Sequence, residues 1–132
     1  MLITSIPQYI QNITNAKLDL TTTNNTTLYT APSGADINAS VVSSILVSED
    51  SGNADTITVT LTSGSDVFSL FKVKAVAANT TIELLTNNLT LQGGEILKVQ
   101  AATANRLHVV ASIQEFAQNR NTTSGLLTEK QK

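Results

Sequence analysis

The chain has 132 residues and a net charge of −2, and 41% of it is hydrophobic, with three Phe, two Tyr, no Trp and no Cys. A chain of this length fits one domain and buries a core without a metal or disulfide, and the missing cysteine excludes disulfides, thiolate chemistry and zinc fingers. The slight acidity cannot neutralise a run of phosphates, so no nucleic-acid partner is expected. No segment approaches the roughly 20 apolar residues of a bilayer span, so no membrane partner is expected either.

Thr, Ser and Asn number 20, 12 and 12, a third of the chain, against 14% charged residues. The surface is therefore expected to be neutral and rich in hydroxyls and amides, around a core of small aliphatic side chains. Met1 to Ile10 lacks the basic start and continuous apolar run of a signal peptide, which predicts that the chain is made in the cytoplasm.

In chain order, the first fifteen residues carry Leu2, Ile3, Ile6, Tyr9, Ile10 and Ile13 around Pro7. Proline lacks a backbone donor and restrains Ile6 to extended geometry, so residues 1–15 read as an arm or edge segment, packed on their own domain or on a neighbour. Lys17 to Leu20 begins a strand, Asn24-Asn25 offers residues tolerant of positive φ for a hairpin turn, and Thr26 to Ala31 returns. Pro32-Ser33-Gly34 then breaks the strand.

From Ala39 to Ser48, alternation predicts Val41, Ser43, Ile45 and Val47 on one face and Val42 and Leu46 on the other. Apolar residues on both faces mark a central strand or one that contacts a second subunit. After a turn at Glu49 to Asn53, Asp55 to Ser63 sets Ile57, Val59 and Leu61 against Thr56, Thr58, Thr60 and Thr62, the clearest half-buried strand of the chain.

Ser63-Gly64-Ser65-Asp66 turns into Val67 to Val76, where Phe71, Val73 and Ala75 are expected opposite Leu70, Lys72 and Lys74. Shorter strands follow at Thr81 to Leu85, Leu89 to Leu91 and Ile96 to Gln100, with a tight turn at Gln92 to Glu95. The last strand, Arg106 to Phe116, points Leu107, Val109, Ala111 and Ile113 inward. Eight to nine short strands with a turn about every ten residues predict an all-β, antiparallel β-sandwich of jelly-roll type over residues 16–116. Residues 117–132 have little to bury beyond Leu126 and Leu127 and read as a flexible tail or a docking contact.

Catalytic chemistry has few carriers. A nucleophilic triad or a general base draws on clustered titratable groups, and the one histidine, His108, falls on the outward side of the last strand. Glu49, Asp50 and Asp55 share a connection and could offer oxygens to calcium, but without the spacing of an EF-hand loop. Gly93-Gly94 is not followed by the Lys-Ser/Thr of a phosphate loop. A glycan-binding or adhesion module usually stacks sugars on exposed aromatics, and only Tyr9 and Tyr29 accompany the three Phe. No enzyme activity, cofactor or metal is expected.

Several landmarks form an ordered series: Tyr29-Thr30-Ala31-Pro32, Ser44 to Ser48 before Ser51-Gly52, Asn79-Thr80-Thr81-Ile82 and Leu91-Gln92-Gly93-Gly94-Glu95, closing with Leu107 to Ser112. Over residues 26–116 this series resembles the small β-sandwich virion proteins of tailed bacteriophages. The resemblance implies a virion structural protein, foremost a trimeric capsid decoration (cement) protein bridging major capsid subunits, with a tail, neck or fibre component as the alternative. It also implies partner contacts through the arm (Ile3, Ile6, Tyr9, Ile10) and the tail (Leu126, Leu127).

Overall fold

The computed structural model describes residues 10–34 and 39–116. Within them lie nine strands: β1 (Ile10–Asp19), β2 (Thr26–Thr30), β3 (Ala39–Glu49), β4 (Asp55–Ser63), β5 (Asp66–Val76), β6 (Thr81–Glu83), β7 (Leu89–Gln92), β8 (Ile96–Ala101) and β9 (Leu107–Phe116). One sheet runs β1-β9-β3-β6, with β7 also paired to β3; the other runs β2-β8-β4-β5. Every pairing is antiparallel. Taking β6 and β7 as one interrupted strand beside β3, successive strands are distributed between the sheets in the order of an eight-stranded jelly roll. The expected all-β antiparallel sandwich is thus the observed fold.

The core lies between the layers. Val42, Ile45, Val47, Val109, Ala111 and Ile113 from the larger sheet face Ile57, Val59, Leu97, Val99 and Ala101 from the smaller, all essentially without solvent exposure. Burying each of the larger aliphatic side chains contributes about 1.5–3 kcal/mol relative to exposure. The Thr56, Thr58, Thr60 and Thr62 face of β4 points away from this interior, as the alternation predicts.

Three expectations are corrected. Residues 21–25 do not close a hairpin: β1 pairs with β9 and β2 with β8, so this segment crosses between sheets. Leu20 donates its amide to Leu107 and accepts from Asn105, which anchors the crossing, and positive φ falls on Asn79 and Asn105 instead of Asn24-Asn25. Alternation reports that a strand is half-buried, not which strand it pairs with.

In β3 a register shift at Ser43 puts Val42, Ile45 and Val47 on one face with Ser40 and Glu49, and leaves Leu46 outward. An extra residue in a ladder reverses the faces beyond it. In β5 the register against β4 slips twice, at Leu70 and around Val73. Val73 has φ 51° and is 59% exposed, so it does not share an inward face with Phe71. Residues 10–15, read as part of an arm or edge segment, lie in β1, the edge strand of the larger sheet.

Turn chemistry follows the sequence closely at two places. Gly64 has φ 62° as the first residue of the two-residue β4–β5 hairpin, where a II′ turn wants glycine. Gly94 has φ 88° at the third position of the turn closed by Glu95 N–H donating to Gln92 O at 3.0 Å, the position where a type II turn demands glycine.

The neighbouring Gly93 is needed for space. A Cβ there would meet Ser33 Cβ at 2.9 Å and Pro32 O at 3.2 Å. The Tyr-Thr-Ala-Pro turn and the Gly-Gly turn are clasped by Ala31 N–H to Glu95 O and Gly94 N–H to Ala31 O, each 2.8 Å. Gly93→Ala is expected to lower unfolding stability by about 1–3 kcal/mol through overpacking against backbone, read as a lower urea midpoint with an unchanged slope.

Candidate interaction surfaces

The acidic side chains that the turns carry are occupied in holding structure. Glu49 ends β3 on the inward face and is 2% exposed. Its carboxylate accepts the amides of Ser51 (2.8 Å), Gly52 (3.2 Å) and Asn79 (2.9 Å) and the Ser51 hydroxyl, tying the β3–β4 turn to the β5–β6 turn. Burial alone pushes this carboxyl up, but the donated hydrogen bonds outweigh it and hold the pKa down at about 2, from an ordinary 4.5.

Glu83 in β6 behaves similarly, accepting the Ser44 hydroxyl and the amides of Ile45 (2.8 Å) and Leu85 (3.2 Å). Burial acts upward on its pKa, and these bonds bring it below the usual carboxylate range. Asp55 accepts the Thr103 amide at 3.1 Å. Glu49, Asp50 and Asp55 therefore do not form an oxygen cage, and among the described residues no group of three or more acids or histidines could hold a metal ion.

At the opposite end of the interior, Asn12, Glu115 and Ser40 stand side by side across β1, β9 and β3. Tyr29 reaches over from the smaller sheet, donating its hydroxyl to Glu115 Oε2 at 2.5 Å and meeting Ser40 Oγ at 2.9 Å, while Asn12 Nδ2 donates to Glu115 Oε1 at 3.1 Å. Burial, then the bond to Glu115, pushes the Tyr29 phenol up to about 12. This polar clasp joins the two layers.

His108 faces outward between two carboxylates, Nε2 at 3.1 Å from Asp19 Oδ1 and Nδ1 at 3.6 Å from Asp50 Oδ2. The ring thus stands between the end of β1 and the loop after β3.

The described surface also carries exposed apolar side chains. Of the residues read as partner contacts, Ile10 opens β1 and is 43% exposed; Ile3, Ile6, Tyr9, Leu126 and Leu127 lie outside the described residues. The structure adds exposed apolar side chains beyond those six. Val67 and Phe68 sit on the edge strand β5, and Leu46 and Val110 are neighbours on the outer face of the larger sheet. The available signal was an aliphatic residue at an outward step of an otherwise polar face.

No protein-family model matches the chain, and no curated protein matches it. Among solved structures it is similar to a chain of the disulfide-linked pili that form Bacillus endospore appendages, at 14% identity over 88% of this chain and 95% of that one, with a TM-score of 0.49. It is also similar to two structures of a pentameric capsid protein from metagenomic phage sequences, each at 18% identity over 80% of this chain, with a TM-score of 0.46. The chain spans 61% and 64% of those two capsid chains. Likenesses this distant carry no conclusion about what the chain does.

Glu49 has a folded pKa below its unfolded value, so its contribution to stability is complete above about pH 4.5 and is lost as pH falls toward 2. Urea midpoints measured across that window are expected to fall more steeply for the native chain than for Glu49→Gln. Tyr29→Phe, which leaves buried Glu115 without its phenol donor, is expected to cost about 1–3 kcal/mol in the same measurement at neutral pH.

Proposed function

We propose that this chain is a non-enzymatic structural protein of a tailed-bacteriophage particle, and within that class a capsid decoration protein that binds major capsid subunits. The observation that carries the reading is the disposition of its polar groups. Glu49, Glu83 and Glu115, which a reaction would draw on, are engaged by turn amides, strand hydroxyls and the Tyr29 phenol. The outward faces of β3, β4 and β9 carry mostly Thr, Ser and short aliphatics, with His108 and Gln114 among them. A surface of that kind suits contact with other proteins at high local density.

Support also comes from the sequence landmarks shared with small phage virion proteins, two of which, Tyr29 to Pro32 and Leu91 to Glu95, meet in the Ala31–Gly94 clasp. Jelly rolls serve as capsid domains and as lectins, so the fold itself is only an analogy. On a capsid lattice each copy needs only modest affinity, because repetition multiplies the contacts. Function here means added buried interface opposing the pressure of packaged DNA, with no bond made or broken.

Electron microscopy of particles labelled with an antibody to this chain tests the reading. Label distributed over the head is the expected result. Label confined to the tail would replace decoration with a tail or fibre role, and unlabelled particles from a lysate containing the chain would overturn a virion role.

A further inference from the structure

The registers of the larger sheet fix how its outer face is laid out. Lys17 stands opposite Val110, Val110 opposite Leu46, and Leu46 opposite Glu83. Residues directly opposite in an antiparallel ladder share a face, so these four form one row: a cation on β1, two aliphatics in the middle and a carboxylate on β6. Leu46 is 40% and Val110 36% exposed. The rows on either side are polar, with Ser112 beside Ser44 and His108 beside Ser48. With strands about 4.8 Å apart, the Cα atoms of Lys17 and Glu83 are roughly 14 Å apart, and the Glu83 carboxylate is bonded to Ser44 and Ile45 with no ion pair to Lys17.

We propose that this face is a contact between two copies of the chain, related by a two-fold axis lying in the contact plane, along the strands and midway between β9 and β3. That rotation lays Lys17 over Glu83 of the second copy and Val110 over its Leu46, and the reverse at the other end. The row is complementary to itself, as an isologous interface requires. The same rotation sets Asp19 over Thr81 and His108 over Ser48, which brings no like charges together. Turning the second copy about an axis along the row would put Lys17 on Lys17 and Glu83 on Glu83, so charge selects one orientation. Glu83 is suited to the role because Ser44 and the Ile45 amide hold its carboxylate in place.

A face about four strands wide and about eight residues long covers roughly 500 Å² per copy, below the ~800 Å² per partner of a standard interface, so the contact is weak and depends on concentration. It is independent of the chain's place in a particle and distinct from the trimer that the sequence resemblance implies. Sedimentation equilibrium of the whole chain up to millimolar concentration tests it. The mass is expected to rise toward two copies and to fall back with added salt. Lys17→Glu and Leu46→Glu, both at exposed positions, are each expected to weaken association about tenfold or more while leaving the circular dichroism spectrum unchanged. A native chain that stays single throughout, or self-association that salt and both substitutions leave unaltered, overturns the proposal. Particle labelling reads the virion role separately, so either can fail alone.

Discussion

The pairing of β3 with β9 through the middle of the larger sheet is the constraint on which the rest of the molecule depends. It runs from Ala39 opposite Phe116 to Glu49 opposite Leu107, and it presents one continuous aliphatic surface to the smaller sheet. Both flanks of that sheet are attached to this pair: β1 to β9, and β6 and β7 to β3. Fixing it in register determines where every inward side chain of the larger sheet meets the layer above it.

At each end of that aliphatic surface stands an acid, Glu49 at one and Glu115 at the other, both nearly inaccessible to solvent. A carboxyl group removed from water is costly unless it is well hydrogen-bonded, and the two ends meet the requirement differently. Glu49 gathers backbone amides from two turns and so fixes loops. Glu115 takes a phenol from the facing sheet and so fixes the spacing of layers. An interior otherwise composed of small, interchangeable aliphatics acquires defined limits from these two groups, a role in specificity that buried polar groups fulfil in some proteins.

Much of this was legible from the sequence. Strict alternation in Asp55–Ser63 and Leu107–Phe116 identified their inward faces correctly, and Gly64 and Gly94 marked turns that need positive φ. Alternation failed wherever the ladder gains a residue, at Ser43 in β3 and at Leu70 and Val73 in β5, because a sequence does not reveal where a pleat is interrupted. Strand partners were also hidden, since β1 and β2, adjacent in the chain, belong to different sheets. The two inward acids were readable and were missed: Glu115 continues the alternation of Ala111 and Ile113, and Glu49 that of Ile45 and Val47. Treating acidic residues as belonging to turns concealed them. The layout of the outer face was the least legible element, because Ser, Thr and scattered aliphatics form no motif, and the row of Lys17, Val110, Leu46 and Glu83 emerges only when the strands are aligned by register.

The irregular course of β5 has a consequence for solubility. An unpaired outer strand of eleven residues would be a template for runaway cross-β growth. Two kinks, with Lys72 and Lys74 placed beside the second, divide it into regular stretches from Asp66 to Ser69 and from Lys74 to Val76. Each break interrupts the row of free backbone groups that an added strand would pair with, so β5 offers a second chain two short ladders in place of one long one.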